Sequence, residues 1–441
     1  MVSDGITRLV RAIAPGESLP ANDPRYVNCD DVRGVSLVDD YVRALRRADP
    51  ACPQVKLFAG HRGIGKTCEL NRLKGILESP CSSKSHPPAF RVLYMDVRRD
   101  VALNDLDWPD LLVFMVSRIR LGLSKAGIPG IGPANPPLID AWNALKKVLK
   151  PHIRVDHATV ETGFDILVAE LRNQDQLRPM LRQLIQCHGT QLVAGINAFL
   201  QEAVEQLRRH RRTDVVMIVD GLERLPLRAL GGDELNTHSR LFFDHIEQLT
   251  SFCAHTIYSV PISLLYDRRY AELEQTLGEH HAPMPMIRLH EVDGEPRSPT
   301  SAGLDRLWAI IEARCVYANV DIADLFESRS TGQYLCEMSG GHPRNLLMFL
   351  HSALNNTDTL PVTRQASEYA VRIYANSLCR QIPEDYWDKL RRFASPRTNI
   401  AKDEMHRQML LLLHIFEYVN DSPWYEINPA IRALSPLWSS N

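Results

Sequence analysis

Apolar residues in this chain gather in short, nearly unbroken runs separated by longer stretches with helical spacing. Val55-Lys56-Leu57-Phe58-Ala59, Arg91-Val92-Leu93-Tyr94-Met95-Asp96-Val97, Val215 to Val219 and His255 to Val260 read as strands, and Met286 to His290 as a further one. Such runs are buried on both faces, so they predict a parallel sheet covered by helices. Ser36 reads as the N-cap of a helix reaching Leu45, and further helices are predicted from Lys66 to about Leu77 and from Tyr270 to Leu277. Residues 103 to 212 are mainly helical in pattern, interrupted at Pro129, Gly130, Pro133 and Pro136-Pro137, and read as an insertion in an α/β domain spanning 26–295. Pro80 to Pro88 reads as a surface link.

The flanks differ. Residues 1–25, punctuated by Pro15, Gly16, Pro20 and Pro24, are expected to be irregular. After Gly294-Glu295-Pro296 only helices are predicted, from Ser301 to Cys379, with Gly340-Gly341 between two of them, which gives a helical domain over 296–380. Residues 381–441 continue with helices up to Leu413. Phe416-Glu417-Tyr418-Val419 and Trp424-Tyr425-Glu426-Ile427 then flank Asn420-Asp421-Ser422-Pro423 as a hairpin, an order similar to a winged helix.

Composition narrows the classes. With 441 residues, 44% hydrophobic and 24% charged, the chain is globular and long enough for two or three domains. A net charge of -2 gives no global attraction to nucleic acid, so any such contact must be local. The nine cysteines contain no CxxC pair, which argues against a disulfide framework or a paired-cysteine metal site. The most apolar run, Met409 to Phe416, is far short of the roughly 20 residues that cross a bilayer, and the first residues lack a signal-peptide core. A cytoplasmic chain with no membrane partner is expected.

Gly60-His61-Arg62-Gly63-Ile64-Gly65-Lys66-Thr67 fits G-x-x-x-x-G-K-[ST], between a predicted buried strand and a predicted helix. Glycines there turn successive amides inward around phosphate oxygens at the positive end of a helix, with Cys68 next in line. Lys66 is expected to reach the β- and γ-phosphates, and the Thr67 hydroxyl to ligate Mg2+. Asp220, ending the run Val215 to Val219, is expected to hold the metal's water shell, since an unpaired buried carboxylate carries a cost of several kcal/mol. The next residue is Gly221, and an acid arrives only at Glu223, which reads either as the general base or as a surface residue paired with Arg224.

The phrases Ala59 to Leu70 and Val216 to Arg224 resemble those of AAA-type ATPases, especially the STAND branch of signal-transducing NTPases. Ser339-Gly340-Gly341-His342-Pro343-Arg344 is similar to that branch's glycine-x-proline element, and the resemblance covers roughly residues 26 to 435. It implies an α/β P-loop NTPase with a parallel sheet, followed by an all-helical lid and a winged helix. It also implies that His342 and Pro343 approach the adenine end of the nucleotide and that Tyr26 and Val27 pack the ring. Ser259 stands where a polar sensor faces the γ-phosphate, or is a core serine. Arg344 matches a second sensor on the lid, or is a solvated helix-start arginine. Arg268 and Arg269 lie where an arginine finger could originate, or are simply solvated.

Two further clusters read as non-functional: His280-His281 lacks metal-site spacing, and Arg208 to Arg212 reads as a solvated helix end. No N-K-x-D element follows Asp220, which favours ATP over GTP. The resulting expectation is an ATP-binding and ATP-hydrolysing switch, turning ATP and water slowly into ADP and phosphate. Its expected partners are further copies of itself and a separate effector protein, as in the bacterial anti-phage cassettes where such ATPases occur. The alternative is a DNA-associated ATPase, akin to replication initiators or transposon-targeting ATPases. Its recognition helix, Lys402 to Leu413, offers Lys402, His406 and Arg407 but also Asp403 and Glu404.

Overall fold

The computed structural model describes residues 2–49, 51–79, 89–128, 131–132, 134–209, 214–230, 236–290, 301–393, 400–401, 403–420 and 422–434. The predicted link Pro80 to Pro88, the boundary Gly294-Glu295-Pro296, Pro129, Gly130, Pro133, His210 to Arg212, Lys402 and Asp421 lie outside them.

Strands β1 (Val55–Gly60), β2 (Arg91–Asp96), β3 (Val215–Asp220) and β4 (His255–Pro261) form one parallel sheet in the order β1-β4-β3-β2. The register pairs Asp96 with Asp220 and Gly60 with Pro261. The carboxyl ends of all four strands therefore share one rim, the edge at which open α/β sheets bind ligands.

Alternation along β3 shows how the sheet is covered. Val215, Met217 and Val219 enter a core built with the inserted helices, of which Trp108–Ser124 is buried nearly all round. Val216 and Ile218 enter the core on the opposite face with Tyr41, Leu70 and Leu73, from the helices Leu37–Arg47 and Lys66–Glu78. Side chains of period two thus seal both faces. Ser36 caps its helix as predicted, accepting from the Asp39 amide at 3.3 Å.

Two expectations are corrected. Met286 to His290 forms no strand. The Met284 amide donates to Ala59 O of β1, the Met286 amide to Glu417 O and the Arg288 amide to Val32 O, so successive donors serve three different elements. Pro283 and Pro285, which have no N–H, interrupt any ladder in between. The N-terminal segment is not irregular throughout, because Val2–Ala12 is a helix. Leu9, Ala12 and Ile13, at helical spacing, enter the core of the helices Ser301–Ala318, Arg329–Met338, Pro343–Asn355 and Arg364–Cys379.

The C-terminal helices Trp387–Arg392 and Glu404–Leu411 precede an antiparallel pair, β5 (Ile415–Asn420) and β6 (Ser422–Ile427), in which Tyr418 faces Trp424. Phe416, Tyr418 and Trp424 join the core beneath the sheet, whereas Ile415, Tyr425 and Ile427 pack with Met409 and Leu410. The hairpin is therefore docked against the sheet. Among the described residues no helix is long and apolar enough to cross a membrane.

Candidate nucleotide-binding site

The loop after β1 adopts the conformation its glycines permit. Gly60, Gly63 and Gly65 have φ of 150°, 103° and 104°, values that side chains disfavour. At Gly63 space is limiting too, because a Cβ would lie 2.6 Å from His342 Cε1. Among the described residues none accepts a hydrogen bond from the amides of Gly63, Ile64, Gly65, Lys66 or Thr67. These donors stand at the start of the helix Lys66–Glu78, where the helix dipole also favours an anion.

The eight loop residues divide by direction. Ile64 is buried in the core with Phe58 and Met284, and Arg62 is exposed. His61 is turned fully inward, its Nδ1–H donating to Leu410 O at 3.1 Å and its Nε2 accepting from the Glu417 amide at 2.9 Å. The imidazole thus binds the hairpin and not the cleft. Gly63, Gly65, Lys66, Thr67 and Cys68 line the cleft. Lys66 Nζ donates to Gly60 O at 2.7 Å and His61 O at 2.9 Å. Burial pulls its pKa down to about 8 against the upward pull of Glu223 and Asp220.

Thr67 and Asp220 meet directly. The Thr67 hydroxyl donates to Asp220 Oδ2 at 2.8 Å, and the Tyr94 hydroxyl to the same oxygen at 2.7 Å. Oδ1 is buried with no partner among the described residues. Burial and the neighbouring Glu223 push the Asp220 carboxyl up, while the Tyr94 and Thr67 hydroxyls pull it down.

Glu223 is buried at the cleft wall, on the turn Leu222–Arg224. Ser259 sits in β4 and donates its hydroxyl to Glu223 Oε2 at 2.7 Å while accepting from the Gly221 amide at 2.8 Å. Burial raises the Glu223 pKa, but the charge of Lys66 and the bond from Ser259 outweigh it and hold the carboxyl below its ordinary value. Arg224 Nε is no tight partner, at 4.0 Å from Glu223 Oε1.

From the helical side, Pro343 and Arg344 line the cleft at the start of Pro343–Asn355. Arg344 is held down to about 10 by burial and the nearby Arg224 and Arg62 charges. His342 faces the loop: its Nε2–H donates to Arg62 O at 3.0 Å, its Nδ1 accepts from the Asn345 amide, and its ring stacks on Phe416 at 5.7 Å.

Tyr26 and Val27 stand elsewhere. The Tyr26 hydroxyl bonds Glu69 at 3.0 Å beside a separate depression that includes Arg46 and Arg72, and Val27 packs on the helical core. The stretch Pro15 to Leu19 lines the cleft instead, anchored where Asn71 Nδ2 donates to Leu19 O at 2.8 Å. Arg269 is committed to Asp244 and Glu272 and lies over the Phe243 ring, while Arg268 is exposed. His280 pairs with Glu274 and His281 with Glu279, and no metal-ligand cluster occurs among the described residues.

Beyond Lys66 and Arg344, the cleft gathers Arg98, Arg224 and Arg314. Arg314 Nη1 donates to Ile310 O at 2.8 Å, and burial lowers its pKa to about 10. Arg98 follows β2 by two residues, so its place on the carboxyl rim was a signal. Arg314 gave none, lying inside the helix Ser301–Ala318 some 250 residues from the loop.

No known family model and no curated sequence matches the chain. Among solved structures, the Aeropyrum pernix ORC2 protein in its ADP form is 12% identical, with 96% of this chain and 95% of that chain covered and a TM-score of 0.40. Drosophila ORC bound to DNA is 11% identical over 97% and 91%, with a TM-score of 0.42. A Walker-type ATPase of Pyrococcus abyssi is 12% identical over 95% and 98%, also at 0.42. At such distances the chemistry rests on this chain's own side chains.

Proposed function

We propose that the chain binds ATP with Mg2+ in this cleft and hydrolyses it, with the nucleotide state biasing how the helical and C-terminal elements sit on the loop. The observation that carries this reading is the orphaned, buried Oδ1 of Asp220, whose Oδ2 takes the Thr67 hydroxyl, together with a loop of unused amides before Thr67. A buried carboxylate oxygen without a donor is costly unless a cation meets it.

Thr67 and Asp220 would hold Mg2+, which supplies charge neutralisation on the β- and γ-oxygens. Lys66 exchanges the Gly60 and His61 carbonyls for phosphate oxygens. Glu223, kept ionised and oriented by Ser259, positions the attacking water and takes its proton. Pro343 and Arg344 bring the helical unit to the same ligand, so one nucleotide touches both sides and shifts their arrangement by its differential affinity. A separate effector protein or another copy of the chain then reads that arrangement.

Calorimetric titration with ATP and Mg2+ tests the site: the chain binds, and Lys66→Ala does not. Equal heats from both proteins would remove the reading. A second reading, a DNA-associated ATPase, is motivated by the helix Glu404–Leu411 followed by the β5–β6 pair. In that helix Arg407 bonds Asp267 and Glu404, and His406 bonds Asp403 at 2.6 Å. A salt-sensitive gel shift with duplex DNA, weakened by Arg407→Glu, would favour it.

A further inference from the structure

Resting on this ATPase reading, we propose that Arg98 is a catalytic residue: it contacts the terminal phosphate and supplies, from the same chain, the positive charge that the transferring phosphoryl group needs.

Gly221 has a φ of 101°, and a Cβ there would lie 2.7 Å from Arg98 Cγ and 3.0 Å from Val97 Cγ2. No side chain fits directly after Asp220, because the stem of Arg98 runs through that space. This geometry accounts for the acid being displaced to Glu223. It also delivers a guanidinium to the wall that a residue-221 side chain would have occupied.

The guanidinium is fixed in orientation. Asp96 takes it in a fork, with Arg98 Nε to Oδ1 at 2.6 Å and Nη2 to Oδ2, and also accepts from the Arg98 amide at 3.0 Å. A paired fork of this kind sets the plane of the group as well as its place. Nη2 lies 3.7 Å from Asp220 Oδ2, so the charge stands next to the metal-side carboxylate. The bond to Asp96 leads the upward shift of its pKa, and the group keeps its charge at any working pH.

Cations outnumber acids along the cleft lining, with only Glu17 and Glu223 among the described residues on the acidic side. Lys66, Arg224 and Arg344 share the cleft with Arg98, and the pKa values of both Arg224 and Arg344 are depressed, by burial first and then by repulsion from neighbouring arginines. Arg224 Nε is buried without a partner among the described residues. Such a cluster is complementary to a triphosphate, whose charge moves outward onto the γ-oxygens and the bridging oxygen as the bond breaks. In the step itself, the water oxygen bonds to Pγ while the Pγ–O bond to the bridging oxygen breaks. The electron pair leaves with ADP, and the water proton passes to Glu223 and on to solvent. Of the two finger candidates for a neighbouring copy, Arg269 is held by Asp244 and Glu272 away from this cleft's lining.

The test compares the full chain with Arg98→Ala and Arg98→Lys. Steady-state hydrolysis, mant-ADP binding and trapping of ADP with Mg2+ and aluminium fluoride, a mimic of the transferring group, are measured. Arg98→Ala is expected to lower kcat about a thousandfold or more, the order lost with an arginine at such a centre. Its mant-ADP affinity should stay within about threefold and its fluoride trap should disappear. Arg98→Lys keeps the charge without the fork and should lose about tenfold in kcat with ADP binding intact. It carries the same test if the alanine variant does not fold. Wild-type turnover per chain should not change on dilution. The inference is overturned if Arg98→Ala or Arg98→Lys keeps full kcat, if ADP affinity falls in parallel with kcat, or if per-chain turnover climbs with protein concentration. A wild-type chain that fails to bind or turn over ATP overturns the ATPase reading itself.

Discussion

The Ser259 hydroxyl reaches across from β4 to Glu223 at 2.7 Å and, with its lone pair, holds the Gly221 amide at 2.8 Å. One side chain thereby fixes both the turn after Asp220 and the acid that ends it. Ser259→Ala removes a donor to the charged form of Glu223, so the Glu223 pKa rises and the acid limb of the kcat profile moves to higher pH. A loss of about tenfold in kcat at neutral pH, with ATP affinity unchanged, is expected from looser placement of the base. Glu223→Gln should bind ATP and lose about a hundredfold or more in turnover. Normal hydrolysis by Glu223→Gln would show that the base lies elsewhere.

Tyr94 offers a finer probe of the metal side. Its hydroxyl and that of Thr67 both serve Asp220 Oδ2, offsetting the upward push of burial and Glu223. Tyr94→Phe leaves the ring but removes one donor, so Asp220 is harder to ionise. The Mg2+ concentration for half-maximal hydrolysis should rise about tenfold or more, in line with one lost hydrogen bond to a charged group of about 1.5 kcal/mol. Asp220→Ala should leave no Mg2+-dependent turnover at any concentration. An unchanged Mg2+ curve for Tyr94→Phe would mean that its hydroxyl is only a structural partner.

The sheet and the glycine turn after β1 were legible because each is written in adjacent residues. The four apolar runs became strands with ends within one or two residues of those read, and glycine spacing announced the loop. Glu223 was legible as an acid but not as a buried one, since burial depends on Ser259, thirty-six positions away. Tyr26 and Val27 were misplaced because a local pattern upstream of a P-loop does not say which neighbouring residues turn toward the cleft. Pro15 to Leu19 do so because Asn71 and Cys68 hold Leu19. Met286 to His290 has strand composition but divides its donors among three partners, a tertiary choice that no local propensity encodes.

His61 separates loop function from loop anchoring. Both ring nitrogens are used, one by Leu410 O and one by the Glu417 amide, and the ring sits edge-on to Phe416 at 5.9 Å. His61→Ala leaves the Glu417 amide buried without an acceptor and should cost about 2–4 kcal/mol. Hydrogen exchange at the Glu417 amide should accelerate in this variant more than exchange within β3. If the hairpin amides keep wild-type protection, the imidazole does not hold the hairpin to the loop.

Glu417 makes the opposite face of the hairpin pH-dependent. Its carboxyl is buried beneath the hairpin beside Tyr266, which bonds Tyr425 at 2.8 Å, and Oε2 has no partner among the described residues. Burial pushes the pKa from 4.5 up to about 7, with the Tyr266 hydroxyl pulling the other way. The folded chain therefore holds this proton more tightly than the unfolded chain. The associated stability is complete below about pH 4.5 and is lost as pH rises through about 7, where a buried carboxylate must form. A shift of this size corresponds to roughly 3 kcal/mol. Glu417→Gln keeps the shape and removes the titration, so urea denaturation should find it close to wild type at pH 5. At pH 8 it should be more stable than wild type by up to about 3 kcal/mol. Parallel stability curves for the two proteins from pH 5 to 8 would mean that water or a cation reaches the carboxylate, and that the hairpin's seat against Tyr266 is not dry.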